Sequence, residues 1–142
     1  MEEYDFEYIN DRLKFYLSRD RYIHCLNVGS TAMELAKNYN EDEKSAYLAG
    51  VLHDLAKEMT FEQQFEIIQN EDFNSIGFNN RNYIVYHGWV ASIYARDVFK
   101  IKDQKILDAI RYHTTGRKNM SVCEKIIFTA DCICPGRKYD SI

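Results

Sequence analysis

The chain is poor in the residues that make tight turns. It has one proline and six glycines in 142 residues, too few for a sandwich or barrel with many short strands. It also lacks any run of 18 apolar residues and any charged-then-apolar leader, so neither a membrane span nor a signal peptide is expected. The formal net charge of −4 argues against a surface that wraps nucleic acid. Its four cysteines, Cys25, Cys123, Cys132 and Cys134, form no CxxC pair, which excludes the common zinc frameworks and fits a reduced, cytoplasmic setting. What remains is ordinary globular composition, 46% hydrophobic and 28% charged, expected to form a single domain over 1–142.

Periodicity predicts helix after helix. Phe6, Ile9, Leu13 and Leu17 share one face of a helix over 5–17. A second helix over 20–39 aligns His24, Val28, Thr31 and Leu35. The acids at 41–43 open a third helix that runs through Leu55 and carries His53 and Asp54 near its end. Thr60 and Gln63 form a capping box for a fourth, over 61–70, followed by a loop at 71–80. A fifth helix over 83–99 carries His87, a sixth capped by Asp103 ends at His113, and a seventh capped by Ser121 and Glu124 reaches Asp131. The expectation is all-α, a helical bundle of about seven helices around a metal site.

The histidines carry the functional argument. There are four, His24, His53, His87 and His113, and each falls on an inward helical face, with Asp54 and Asp131 nearby. A single histidine on an apolar face is more often a core residue than a ligand. Four such histidines with two inward aspartates point to a divalent-metal site, because imidazole and carboxylate are the donors such ions prefer, and bundles build metal centres from several facing helices. His53-Asp54 alone is a weak motif.

The ordered segments are more specific. Arg-Tyr-Ile-His at 21–24, Ala-Gly-Val-Leu-His-Asp-Leu-Ala-Lys at 49–57, Tyr-His-Gly at 86–88, Ala-Ile-Arg-Tyr-His-Thr-Thr-Gly at 109–116, Glu-Lys-Ile-Ile-Phe-Thr-Ala-Asp at 124–131 and Pro-Gly-Arg at 135–137 together resemble the YqeK-type HD-domain family, the bacterial symmetrical dinucleoside tetraphosphatases. The resemblance spans about 18–138. It implies a metal-dependent phosphohydrolase that cuts diadenosine tetraphosphate into two ADP. It also implies ligation by His24, His53, Asp54, His87, His113 and Asp131. Asp54 would then bridge two ions, His24, His53 and Asp131 would hold one, and His87 and His113 the other. Iron is the expected metal, with manganese, cobalt, nickel and zinc compatible with the same donors. Alternatives within the superfamily are an alarmone or nucleotide hydrolase and a non-catalytic nucleotide-binding protein.

The polyphosphate needs cations and donors around it. Lys57, one turn beyond Asp54, is expected to assist catalysis and contact phosphate. Arg117 and Arg137, in Gly-containing turns, offer guanidinium forks suited to phosphate, and Thr114 offers a hydroxyl. Arg111 points to another face and is expected to pair with a carboxylate. Phe78, Tyr83 and Tyr86 are candidates for stacking on a base.

Two features depart from the resemblance. Cys134 stands where similar proteins carry a glutamate before Pro-Gly-Arg, which puts the fixing of Arg137 in question, while Cys132 and Cys134 themselves read as core or incidental. The chain also ends at Ile142, where similar proteins continue. A shortened bundle, with a homodimer left open, is the corresponding expectation.

Overall fold

Small polar side chains set where the helices begin. In a computed structural model of the chain, which describes residues 4–69 and 78–134, seven helices are present among the described residues. They are α1 (Phe6–Leu13), α2 (Arg19–Asn38), α3 (Glu43–Leu52), α4 (Phe61–Ile68), α5 (His87–Asp97), α6 (Gln104–Arg111) and α7 (Val122–Ile133). Asp5, Ser18, Asp42, Thr60, Asp103 and Ser121 each accept a hydrogen bond from a backbone N–H in the first turn of the helix that follows. Such caps satisfy donors that the helix itself leaves unpaired. Thr60 and Gln63 complete the expected reciprocal box. Only α5 among these helices starts without a side-chain cap, at Tyr86. Its first residue is His87.

The helices pack around a core in which α2 and α3 make the broadest contact. α7 and α6 close over them, and α5 lies against α6 and α4. Leu13, Leu48, Leu52, Leu55, Ile106, Ile110 and Ile127 are fully buried there, each worth about 1.5–3 kcal/mol of transfer free energy on an upper-bound reckoning. Two glycines set how closely the layers approach. A Cβ on Gly50 would lie 2.6 Å from Gly29 Cα across the α2–α3 crossing. A Cβ on Gly88 would lie 2.8 Å from the carbonyl oxygens of both Ile110 and Arg111. No helix of the described residues is long and apolar enough to cross a membrane.

Three expected helices are shorter than their periodicity suggested, for local reasons. Residues 14–17 are turns, because Ser18 must be extended to cap α2. Residues 80–86 are turns, held by Asn79, whose side chain accepts from the backbone N–H groups of Arg81 and Asn82. After Leu52 the chain tightens into bonds spanning three residues, Leu55 to Leu52, Lys57 to Asp54 and Met59 to Ala56. The buried Gln64 amide secures this stretch by donating to the carbonyls of Ala56 and Met59. Lys57 therefore sits in a turn and is exposed, not on a helix face. The expected loop at 71–77 and Pro135, Gly136 and Arg137 lie outside the described residues.

Candidate metal centre

Three of the four histidines are held in the same way. The Nδ1–H of His53 donates to the Gly50 carbonyl at 2.6 Å, that of His87 to Ile84 at 2.6 Å, and that of His113 to Ile110 at 2.7 Å. In each case the acceptor is three residues earlier, at a helix end or turn. A carbonyl can only accept, so each Nδ1 carries a proton and Nε2 is aimed into the bundle. His24 is the exception. Its Nδ1 faces the thiol of Cys134 at 3.8 Å.

The four Nε2 atoms meet the two carboxylates. Asp54 Oδ2 lies 3.6 Å from His24 and 3.3 Å from His53, while Oδ1 lies 3.1 Å from His87 and 3.4 Å from His113. Asp131 Oδ1 lies 3.0 Å from His24 and 3.4 Å from His53. One carboxylate thus divides its oxygens between two histidine pairs. The ligand-type atoms of His24, His53 and Asp131 lie within 4.8 Å of one another, as do those of Asp54, His87 and His113. All six side chains expected as ligands come together.

The donor chemistry of this cluster fits a cation. His53 Nε2 is buried between the Asp54 and Asp131 carboxylates, at 3.3 and 3.4 Å. His87 and His113 turn Nε2 toward Nε2 at 3.0 Å. Acceptors facing acceptors in a buried site are unfavourable unless a positive charge lies between them. The electrostatics agree. Burial opposes a charge on His53, yet Asp54 and Asp131 overcome it and raise its pKa to about 10. Burial would also raise the Asp54 and Asp131 carboxyls, but the histidines hold both well below the usual carboxylate range. Burial keeps His113 neutral by lowering its pKa. A third grouping places the Cys25 thiol beside His53 and Asp54. Burial and the Asp54 charge push that thiol well above its ordinary pKa, so it is a poor ligand compared with the imidazoles.

Several expected substrate residues are placed differently. Arg117 forks onto the buried carboxylate of Glu124, Nε to Oε2 at 2.9 Å with Nη2 on Oε1, and also reaches Asp108. Its guanidinium lies over the Tyr112 ring at 4.2 Å. This clamp between α6 and α7 occupies the fork that was expected to meet phosphate, and it takes the Glu124 side chain that was expected to return to the α7 cap. Among the described residues Arg111 meets no carboxylate; it lies 5.1 Å over the Trp89 ring. Phe78 is buried and stacked on Phe61 at 5.6 Å, which makes it a core ring and removes it as a base platform. Lys57 and Thr114 are exposed. Cys134 is buried against His24 and is not incidental.

Sequence reasoning missed Arg21. Its Nη1 donates to Asp54 Oδ2 at 3.1 Å. The available signal was its place three residues before His24, on the same helical face. It also missed Gly50 and Gly88, each adjacent in sequence or one turn away from a histidine of the cluster.

A helical bundle that turns imidazoles and two carboxylates from five regions of the chain toward one buried point is a metal-centre fold of the HD type. The HD domain family model matches residues 21–136. The chain is 37% identical over 130 residues to the symmetrical bis(5'-nucleosyl)-tetraphosphatase of Bacillus subtilis, covering 92% of this chain and 69% of that protein. It is 39% identical over 126 residues to the protein of that name from Staphylococcus aureus, covering 89% and 64%. The chain therefore spans about two thirds of the length of these relatives. The crystal structure of a predicted HD superfamily hydrolase involved in NAD metabolism from Clostridium acetobutylicum superposes with a TM-score of 0.86 at 41% identity, covering 97% of this chain and 73% of that one. The chain belongs to the HD-domain family, in the branch that includes the symmetrical dinucleoside tetraphosphatases. Divalent-metal binding goes with that domain and with the His/Asp cluster.

Proposed function

We infer that this protein is a metal-dependent phosphohydrolase that cleaves dinucleoside polyphosphates, diadenosine tetraphosphate being cut symmetrically into two ADP. The observation that carries the reading is the buried cluster in which Asp54 offers one oxygen to His24 and His53 and the other to His87 and His113. The relatives named symmetrical bis(5'-nucleosyl)-tetraphosphatase supply the substrate class and the position of the cut.

The division of the cluster suggests the division of roles. His24, His53 and Asp131 would hold one divalent ion, His87 and His113 a second, and Asp54 would serve both. We assign iron as the native metal, with manganese, cobalt, nickel and zinc suited to the same donors. Metal bound there supplies Lewis acidity toward the phosphate oxygens and the attacking water. The chain's own residues do the rest. The carbonyls of Gly50, Ile84 and Ile110 fix three imidazoles in the tautomer that presents Nε2. The rings and core around Asp54, which is 2% exposed, keep bulk water away from the charges. Lys57 and Thr114, exposed on segments that carry cluster residues, remain candidates for phosphate contact, as does Arg137. Phosphoanhydride hydrolysis asks for positioning and charge stabilisation more than for a protein nucleophile.

The deciding experiment is product identity. Metal-loaded protein given diadenosine tetraphosphate should yield ADP alone. AMP with ATP would keep the hydrolase and overturn the symmetrical cut. No turnover, despite full metal occupancy, would overturn the hydrolase.

A further inference from the structure

We propose that Cys25 is a positioning residue of the metal centre, its sulfur accepting the backbone N–H of Asp54 and so fixing the carboxylate that both halves of the site share. The proposal rests on the metal-centre reading for the importance of Asp54, and on the crossing of α2 with α3 for its geometry.

The crossing places the two residues. α2 and α3 come closest at Gly29 and Gly50, where a Cβ on Gly50 would lie 2.6 Å from Gly29 Cα and 3.1 Å from the Val28 carbonyl carbon. Cys25 stands four residues before Gly29, and Asp54 four residues after Gly50. About one helical turn separates each pair, so Cys25 and Asp54 follow on the same side as the glycines. Backbones held that close leave room for only a small side chain at the next step along the crossing. The thiol fills it. Cys25 is fully buried, and its sulfur lies within 4.8 Å of ligand-type atoms of both His53 and Asp54.

The backbone at this step needs an acceptor. α3 ends at Leu52, and the chain then tightens. The His53 N–H reaches the Gly50 carbonyl at a long 3.5 Å, and the Leu55 N–H goes to Leu52 at 3.1 Å. The Asp54 N–H between them donates to the Cys25 sulfur. A buried N–H left without an acceptor is costly, and a neutral thiol meets it without placing a third negative charge beside Asp54 and Asp131. Asp54 sends one oxygen toward His24 and His53 and the other toward His87 and His113. A carboxylate turns with its backbone, so loosening Asp54 disturbs both halves at once, whereas Cys134 acts through His24.

Two substitutions separate the acceptor from the packing. Cys25→Val keeps an apolar side chain and removes the acceptor; Cys25→Ser keeps an acceptor and gives up apolar contact. The full chain is titrated with Co²⁺ by calorimetry, with the visible absorption spectrum recorded at saturation. Cys25→Val should bind Co²⁺ about tenfold more weakly, the low end for a group that orients a metal ligand, and with a changed spectrum. Cys25→Ser should stay within about twofold of the parent and keep its spectrum, even where denaturant unfolding shows it less stable. Cys25→Ala, which also lacks the acceptor, takes the place of the valine variant if that chain does not fold. Parent-like affinity in Cys25→Val, or equal losses in Cys25→Val and Cys25→Ser, would reduce Cys25 to packing and overturn the proposal. A sulfur-to-cobalt charge-transfer band in the parent that vanishes in Cys25→Ser would make the thiol a ligand and overturn it too. Failure of the metal-centre reading is told apart because it appears in the parent, which would then bind no Co²⁺ and sink both.

Discussion

His87 and His113 present Nε2 to Nε2 at 3.0 Å, each with its Nδ1–H held by the carbonyl three residues before it. In their neutral forms these are two lone pairs pressed together in a buried site beside Asp54. A divalent ion turns that conflict into two bonds, so metal should stabilise the fold by linkage. At a free concentration a hundredfold above Kd the gain is about 2.7 kcal/mol, on the order of 8–10 °C in Tm for a chain of this size. Thermal unfolding with Mn²⁺ and with chelator measures it. His113→Ala should forfeit part of the increment. An identical Tm in both conditions would contradict the site.

Gly88 permits that approach. A Cβ there would lie 2.8 Å from the carbonyls of Ile110 and Arg111 and 2.9 Å from His113 Nδ1. The first two contacts are to backbone, which cannot swing aside, and the Ile110 carbonyl is the one that fixes His113. Gly88→Ala should cost about 1–3 kcal/mol and reduce bound metal on the His87–His113 side. Chemical denaturation with metal analysis of the same samples tests both parts. Loss of stability with full metal content would separate packing from the site.

Much of this arrangement was legible in the chain, and the parts that were not have local causes. The seven helices follow from periodicity, and the six clustered side chains were legible because four histidines and two aspartates share inward faces, which a single histidine would not have signalled. Helix ends were overextended at Leu17 and Leu55 and at the start of α5, since apolar spacing continues through turns that side-chain bonds from Ser18, Asn79 and Gln64 impose. The contact of Arg117 with Glu124 was not legible, because a Gly-Arg turn looks the same whether its fork meets phosphate or a buried glutamate. That Glu124 is 1% exposed is a tertiary fact; its pattern position matched a cap. Cys134 reads as core or incidental in sequence, and only the return of α7 toward α2 sets it against His24.

Protons should compete with metal. His53, with its pKa raised to about 10 by Asp54 and Asp131 against the opposing effect of burial, carries a proton at pH 7 in the metal-free protein. Ligation needs the Nε2 lone pair, so binding should release about one proton, and apparent affinity should rise toward tenfold per pH unit up to about pH 10. The sign for stability is opposite. A raised histidine pKa stabilises the metal-free fold fully below about 6.5, and that contribution is lost as pH climbs through 10. The lowered carboxyls of Asp54 and Asp131 contribute above about pH 4 and fail as acid rises. Calorimetry in two buffers of different ionisation enthalpy counts the protons. Flat affinity from pH 7 to 9 would rule out this competition.

Cys134 should tune the His24 half of the site. Sulfur is a weak acceptor, so its contact with Nδ1 at 3.8 Å orients the ring less firmly than the carbonyls orient the other three. Partners of metal-bound histidines are commonly worth ten- to a hundredfold in affinity, and a thiol belongs at or below the low end. Cys134→Ala should weaken metal binding severalfold, and Cys134→Ser should restore most of it. The optical spectrum of Co²⁺-loaded protein reports the change at the ligand itself. Parent-like affinity and spectrum in Cys134→Ala would reduce the contact to packing.

Arg117 offers the clearest test of sequence expectation against structure. A phosphate-binding arginine, when removed, raises KM and leaves stability alone. A clamp does the reverse. Here the fork spans from the segment after His113 to Glu124 on α7, and Glu124 is buried while Arg117 is partly exposed. Removing the guanidinium leaves a buried carboxylate without its charge partner, a change worth about 1–3 kcal/mol once water reaching the exposed side is allowed for. Arg117→Met should therefore lower stability by that amount, with KM for the dinucleotide changed less than twofold and metal content unaltered. Adding Glu124→Gln should recover part of the loss, since the stranded charge is then gone. Denaturant unfolding of the single and double variants, with steady-state kinetics on each, distinguishes the two roles. A tenfold rise in KM at parental stability would return Arg117 to the phosphate and make its contact with Glu124 a resting position.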